Sequence, residues 1–252
     1  NDQASLVGAA WTLGFNSLTN SLAPLLTVDY DSNVQSLNLF AGSGDDSFLI
    51  LKGSPKTAIA IDAGAGVNTL NYAAYVGDVT VDLPLGLATG LAGGVHSIQN
   101  VYGSIGNDLL VGDSGANILS GGTGRNIIIG GAGADHLYGG LGDNVLIGGS
   151  TDYDQNIAAL GDFMTEWLRT DLTFVQRVVD LFAGGQGVPT NLPQSILLGT
   201  GFRLDFQTVH DDKIADVLNG GPANGHDWFL YNPSDDVLNN TRPGDLFTAV
   251  TQ

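Results

Sequence analysis

The chain has no cysteine among its 252 residues. Neither a disulfide nor a thiolate metal site is therefore available to it. Basic residues are scarce: eight Lys and Arg stand against 26 acidic residues, for a formal net charge of −18 and a pI near 4.1. The eight, at Lys52, Lys56, Arg125, Arg169, Arg177, Arg203, Lys213 and Arg242, form no cluster in the sequence. Such a balance argues against nucleic acid or an anionic membrane as a partner. Long apolar runs are also missing. Residues 3–28 carry no charge, but Gln3, Asn16, Asn20 and several Ser and Thr interrupt them, and no basic leader precedes them. Neither a signal peptide nor a membrane span fits. The one methionine is Met164 and the first residue is Asn1, so the chain reads as a processed or excised piece of something longer. Glutamate is nearly absent too: of the acidic residues only Glu166 is not an aspartate.

What the chain has instead is aspartate and 37 glycines, residues that favour turns. Between Gly103 and Ile147 they fall into a nine-residue period without a slip: GSIGNDLLV (103–111), GDSGANILS (112–120), GGTGRNIII (121–129), GGAGADHLY (130–138) and GGLGDNVLI (139–147). Glycine holds positions one and four. Position six is Asp108, Asn117, Asn126, Asp135 and Asn144; position eight is Leu110, Leu119, Ile128, Leu137 and Leu146. A fixed period with one apolar site per unit is the mark of a solenoid.

The apolar run at positions seven to nine predicts a very short strand with position eight turned inward. The glycine-rich half must turn sharply, through positive φ angles that a Cβ tolerates poorly. Two nonads close one coil, so residues eighteen apart stack, at a strand spacing of roughly 4.8 Å. Ca²⁺ binds oxygens at roughly 2.3–2.6 Å, so an ion between two stacked turns meets oxygens from both. The repeat builds either a dry glycine and asparagine stack or a column of calcium sites.

These units resemble the RTX (hemolysin-type) calcium-binding nonapeptide, G-G-x-G-x-D-x-U-x with U a large apolar residue. The resemblance implies a right-handed parallel β-roll, an extracellular location and calcium-dependent folding. On one side of the roll the position-six stack is Asp108, Asn126, Asn144; on the other, Asn117 and Asp135. Asn brings a carbonyl oxygen without charge, and ligand charge helps set Ca²⁺ affinity. Asp113 and Asp143 lie in the same turns and add carboxylates.

The motif continues in diluted form. AGSGDDSFL (41–49) puts Asp46 in position six, and AGAGVNTLN (63–71) puts Asn68 there. With TAIAID (57–62) and VTVDLPLG (79–86), residues 28–102 read as wider coils of the same solenoid. Trp11, Leu13 and Phe15 alternate as a strand covering one end, as terminal coils require. After Gly149 the repeat stops. Ile157, Leu160, Phe163, Met164, Trp167 and Leu168 share one helical face. Thr170 and Asp171 read as caps of a second helix through Phe174, Val175, Val178, Val179 and Phe182, ended by Gly184–Gly185. Then HDDKIADVLNGG (210–221) returns to the motif with Asp216 and Leu218, and Asp227 and Phe229 fit the next unit. Asp152 and Asp154, with Asp211 and Asp212 returning from the insertion, are expected to surround one Ca²⁺.

Other motifs read as decoys. Gly112-Asp113-Ser114-Gly115 matches a serine-protease nucleophile segment, but lies wholly within the nonad register. The glycine clusters at 121–124 and 130–133 lack the long following helix a phosphate loop needs. His210 beside Asp211–Asp212 and His226 beside Asp227 read as turns rather than metal or acid–base pairs, and four scattered histidines lack transition-metal spacing. Parallel β-helix enzymes acting on uronates need clustered basic groups for developing charge, and an ice-binding solenoid needs threonine rows; neither feature is present.

The expected fold is an all-β dominated, parallel β-roll or β-helix solenoid over residues 1–149, a helical insertion over 150–214 packed on the roll, and a return to the roll with a cap over 215–252. The expected function is a non-catalytic, extracellular calcium-binding module of a larger secreted or surface protein. The alternatives are an adhesive or self-assembling surface module and a polysaccharide-acting β-helix enzyme. Expected metal ligands are Asp46, Asp108, Asp113, Asn117, Asn126, Asp135, Asp143, Asp152, Asp154, Asp211, Asp212, Asp216 and Asp227. Expected partners are calcium ions and, beyond them, another copy of the chain or a surface polysaccharide.

Overall fold

The computed structural model describes residues 10–13, 17–20, 26–29, 35–52, 58–183, 202–205, 207–222 and 225–250. The chain opens with β1 (Ala10–Leu13), β2 (Ser17–Asn20) and β3 (Leu26–Asp29), an antiparallel meander whose β1 runs parallel to a later strand. Trp11 and Leu13 are buried in β1; Phe15 lies outside the described residues.

Wide coils follow: β4 (Ser36–Phe40), β5 (Ser47–Ile50), β6 (Ala58–Asp62), β7 (Thr69–Asn71), β8 (Thr80–Asp82), β9 (Leu87–Ala88), β10 (Gly94–His96) and β11 (Asn100–Tyr102). Then come the nonad strands β12 (Leu109–Val111), β13 (Ile118–Ser120), β14 (Ile127–Ile129), β15 (His136–Tyr138) and β16 (Asn144–Ile147). Two-residue β17 (Ser150–Thr151) leads to helices α1 (Ile157–Trp167) and α2 (Phe174–Ala183) and returns through β18 (Val209–His210). The last strands are β19 (Val217–Asn219), β20 (Asp227–Tyr231), β21 (Val237–Asn239) and β22 (Leu246–Ala249).

Successive strands alternate between sheets, so strands two apart become neighbours. One sheet runs β21-β19-β15-β13-β11-β7-β5-β1-β2-β3; the facing sheet runs β22-β20-β16-β14-β12-β8-β9. Among the described residues a third side, β10-β6-β4, belongs to the early coils. The offset between stacked positions records this narrowing: 22 residues from Asp46 to Asn68, 31 from Asn68 to Gln99, then 18 from Asn117 to Asp135. In the repeats Leu119 pairs with Leu137, and Leu110 with Ile128 and Ile128 with Leu146, all in parallel. The protein is a parallel β-roll, as the period of nine implied.

The stacking then jumps across the helices: β15 pairs with β19 and β16 with β20. Chain outside the register is spliced between two neighbouring coils, with β17 and β18 pairing antiparallel at its base.

Two apolar clusters result. The first fills the roll with position-eight side chains: Leu110, Leu119, Ile128, Leu137, Leu146, Leu218 and Phe229 are all fully buried. The second lies on the outer face of the β12–β14–β16–β20 sheet. There Leu109, Val111, Ile127, Ile129, Val145, Ile147, Trp228 and Leu230 pack against Leu160, Phe163 and Trp167 of α1 and Phe174, Val178 and Leu181 of α2. Positions seven and nine are thus apolar in the first, third and fifth nonads because helices cover them. In the second and fourth they are Ile118, Ser120, His136 and Tyr138, and face outward.

The helical faces need correction at their edges. Ile157, Val175 and Val179 are exposed, while Leu160, Phe163, Trp167, Phe174 and Val178 are buried. Asn156 caps α1, accepting from the Ala159 N–H at 3.2 Å. The second helix is capped by Thr173, not by Thr170 or Asp171. Its hydroxyl accepts from the Gln176 N–H at 3.3 Å and the Gln176 side chain accepts from the Thr173 N–H at 2.9 Å, a reciprocal capping box. Asp171 instead pairs with Arg169 at 2.5 Å. Gly184 and Gly185 lie outside the described residues.

Candidate metal centre

The turns joining the two sheets stack at two edges of the roll, and each edge carries a column of position-six side chains pointing inward. The first column runs Asp46, Asn68, Gln99, Asn117, Asp135, Asp216, Asp236. The second runs Asp108, Asn126, Asn144, Asp227, Asp245. Both are ladders. In the first, Asp46 donates its N–H to Asn68 Oδ1 at 2.9 Å, Asn117 to Asp135 Oδ1 at 2.8 Å, Asp135 to Asp216 Oδ1 at 2.8 Å and Asp216 to Asp236 Oδ1 at 3.0 Å. In the second, Asp108 donates to Asn126 Oδ1 at 2.8 Å, Asn126 to Asn144 Oδ1 at 3.2 Å and Asp227 to Asp245 Oδ1 at 2.9 Å. In these rungs one side-chain oxygen satisfies a buried backbone amide of the preceding coil, which Asn does as well as Asp; Asn117 Oδ1 instead accepts from the Asp113 N–H of its own turn at 2.9 Å, and Asp227 Oδ1 from the Asn144 side-chain amide at 2.9 Å.

The second oxygen distinguishes them. It normally closes its own turn by accepting from the N–H at position two. Ser104 donates to Asp108 Oδ2 at 2.6 Å, Gly221 to Asp227 Oδ2 at 3.0 Å, Asn232 to Asp236 Oδ2 at 2.7 Å and Arg242 to Asp245 Oδ2 at 2.6 Å. The turn before Asp135 is different. Gly131 gives its N–H to the Gly149 carbonyl at 3.2 Å, and Asp135 Oδ2 is left buried with no hydrogen-bond partner among the described residues. Glycine opens a space beside it. A Cβ on Gly130 would stand 2.6 Å from Asp135 Oδ2 and against the Gly148 carbonyl oxygen. One on Gly148 would stand 2.8 Å from Asp216 Oδ2 and 3.2 Å from Asp236 Oδ2. Carboxylate and carbonyl oxygens therefore converge at glycines 130 and 148.

The electrostatics follow. Two ionised carboxylates at strand spacing, about 4.8 Å, repel by roughly 3–4 kcal/mol at an effective dielectric of 20. Burial, with the charges of Asp216, Asp212 and Asp113, pushes the Asp135 carboxyl up to about 8. Burial, with Asp236, Asp212 and Asp211, pushes Asp216 up to about 7, and burial raises Asp236 as well. Near neutrality the column needs either protons or a cation.

The second column has its positive groups built in. Asn126 turns its amide donors to the Gly139 carbonyl at 3.2 Å and Asn144 Oδ1 at 3.0 Å, and Asn144 donates to Asp227 Oδ1 at 2.9 Å. Arg242 reaches Asp227 Oδ2 at 2.9 Å. Asp143 accepts from Arg177 of α2, with Arg125 at 4.0 Å. Arg177 is buried, its guanidinium 5.0 Å from the Trp167 ring, and Arg125 donates to the Arg169 carbonyl at 3.1 Å beyond the end of α1. Burial raises Asp108 and Asp227, opposed at Asp108 by hydrogen bonds from Ser104 and Val79 and at Asp227 by those from Asn144, Gly221 and Arg242. The first column's oxygens fit a hard divalent cation at Asp135 and Asp216. The second, with NH₂ groups and guanidinium in place, does not.

The expected ligands therefore separate. Asp46, Asn117, Asp135 and Asp216 share the first column; Asp108, Asn126 and Asp227 share the second, with Asp143 in its turns. Asp113 accepts from the Gly115 N–H at 2.8 Å within its own turn. The four-carboxylate site expected of Asp152, Asp154, Asp211 and Asp212 is not assembled. Asp152 pairs with His210 at 2.6 Å, and Asp154 accepts from the Thr151 hydroxyl at 2.5 Å and its N–H. Asp212 reaches across to the Gly133 N–H at 2.6 Å in the turn before Asp135. Asp211 groups with Asp235 and Asp236, the one cluster of three acidic groups among the described residues able to share an ion. Asp236 and Asp245 were missed although the signal was present: Asp236-Val-Leu-Asn repeats Asp216-Val-Leu-Asn, and Asp245-Leu-Phe-Thr has the same form, but both follow turns without the paired glycines.

Stacked glycine turns, inward carboxylates and parallel strands define a class: the β-rolls built on repeated nonapeptides. The family model of the RTX calcium-binding nonapeptide repeat (4 copies) matches residues 102–136 and 120–152. That stretch is similar to a repeat whose family binds calcium ions. No curated protein matches the chain. No helix among the described residues is long and apolar enough to cross a membrane.

Proposed function

We propose that the chain is a non-catalytic structural module of a larger secreted or cell-surface protein, ordered by calcium held at one edge of its roll. Asp135 and Asp216 are the central ligands. Asp113 and Asp212 bring further charge to the same turns, and the Gly148 carbonyl adds a neutral oxygen. The observation that carries this reading is the buried, unpartnered Oδ2 of Asp135 in a cradle kept open by Gly130. Asp211, Asp235 and Asp236 extend the acidic column toward the last coil. An extracellular location is the reading that millimolar calcium outside cells supports, since binding to the folded state alone stabilises it by mass action, about 2.7 kcal/mol at a hundredfold excess over Kd. Residues 150–214 act as an insertion that covers one sheet face and supplies Arg177 to the other edge. Melting curves of chelator-stripped protein with and without millimolar Ca²⁺ test this. A clear upward shift with Ca²⁺, absent with Mg²⁺ at the same concentration, is expected; identical curves would refute it.

A further inference from the structure

We infer that the outer face of the β5–β7–β11–β13–β15–β19–β21 sheet, which neither helix covers, is a binding surface for an uncharged, extended polysaccharide. The register fixes what this face displays. Position nine of successive strands forms one row across the sheet: Asn71, Tyr102, Ser120, Tyr138, Asn219 and Asn239. Tyr102 and Tyr138 are each 40% exposed, whereas the matching residues of the opposite sheet are buried under the helices. They stand two strands apart, about 10 Å, with the small Ser120 between. A tyrosine ring offers an apolar face with a polar tip. Two such rings on alternate strands, separated by a shallow gap, suit alternate sugar rings of an extended chain. The axial C–H faces lie on the aromatics and the hydroxyls reach the amides alongside.

The polar groups for that second role are available. No described residue hydrogen-bonds to the side chain of Tyr102, Tyr138, Asn219 or Asn239. The companion row at position seven runs Thr69, Asn100, Ile118, His136, Val217 and Val237, so polar and apolar residues share it equally. Neither row, from β5 to β21, contains an Asp, Glu, Lys or Arg, in a chain with a net charge of −18. That exclusion selects the occupant. A cationic partner would find no anion here, and a uronate polymer would meet no cation and would be repelled by the rest of the molecule. A second copy meets the same repulsion, from its own net charge. An uncharged glycan meets neither penalty. The inference rests on strand register and exposure, and stands apart from the calcium reading.

The test is calorimetric titration of the intact chain with cellohexaose, xylohexaose and chitohexaose, with hexagalacturonate as the charged arm, in calcium and in chelator. Binding of at least one uncharged hexasaccharide and none of the hexagalacturonate is expected. Tyr102→Ala and Tyr138→Ala should each weaken it about tenfold. Val175→Ala on the exposed side of α2 should leave it unchanged. Both tyrosines are surface residues, and an unaltered melting curve checks that the variants fold. Failure of all three uncharged sugars to bind would overturn the inference, as would equal binding by Tyr102→Ala/Tyr138→Ala. So would a dimer in sedimentation that this double variant abolishes, because the occupant would then be another copy.

Discussion

The two edges of the roll use the same ladder for opposite ends. At both, a position-six oxygen takes the amide of the coil before, and that task is indifferent to charge. At one edge Asn126 and Asn144 replace aspartate, and Arg125, Arg177 and Arg242 stand beside the acids that remain. At the other, Asp135, Asp216 and Asp236 follow one another, and no ion pair with Lys or Arg is present for them among the described residues. The difference teaches that a nonapeptide turn can be neutralised from within, by amides and guanidinium, or from outside, by a metal. At the acidic edge the Oδ2 of Asp135 has no hydrogen-bond partner among the described residues.

The sharpest way to break the comparison is to remove the internal cation. Arg177→Met leaves Asp143 without its buried partner and loosens α2 from the roll; a loss of about 3–5 kcal/mol is expected. Urea denaturation should give that loss equally in calcium and in chelator. A smaller effect follows from charging the neutral edge. Asn126→Asp keeps the Oδ1 acceptor but loses the amide donations to Thr123, Gly139 and Asn144. Chemical denaturation should show about 1–3 kcal/mol of destabilisation, which calcium does not restore.

The pH dependence sharpens the contrast further. Asp135 and Asp216 are raised to about 8 and about 7 from an ordinary value of 3.8. The folded state therefore binds more protons than the unfolded one across that interval. The contribution of these two groups to calcium-free stability should be full below pH 3.8, the ordinary value, and fall steadily as pH rises toward 8. With saturating calcium the direction should reverse over the same window, because protons compete with the ion for the carboxylates. Melting temperatures from pH 5 to 8, with calcium and with chelator, should cross. Parallel curves would place the raised groups elsewhere.

Much of this was legible in the sequence. The period of nine predicts parallel strands stacked eighteen residues apart, and Leu110 above Ile128 and Leu119 above Leu137 are where that period puts them. Composition at positions seven and nine also carried the location of the helices, since Ile127 and Ile129 differ from His136 and Tyr138 in the way a covered face differs from an open one. Other features were not readable. Arg177 meets Asp143 only because the helices fold back on the sheet, a contact 34 residues apart that no local spacing announces. Asp152 and Asp154 look like metal ligands in a string but are satisfied by His210 and Thr151. Asp212 approaches the Asp135 turn only after the chain has left the register and returned. The orphaned oxygen of Asp135 depends on a single amide, that of Gly131, choosing Gly149 instead.

Calorimetric titration of calcium into three chelator-stripped proteins tests the central claim most directly: the unaltered chain, Asp135→Asn/Asp216→Asn and Asp227→Asn. Asparagine preserves each ladder acceptor, so only charge and the second oxygen change. The account predicts that the double variant loses high-affinity calcium binding while Asp227→Asn retains it. Undiminished binding by the double variant, or its loss in Asp227→Asn alone, would contradict the assignment of the ion to the acidic edge.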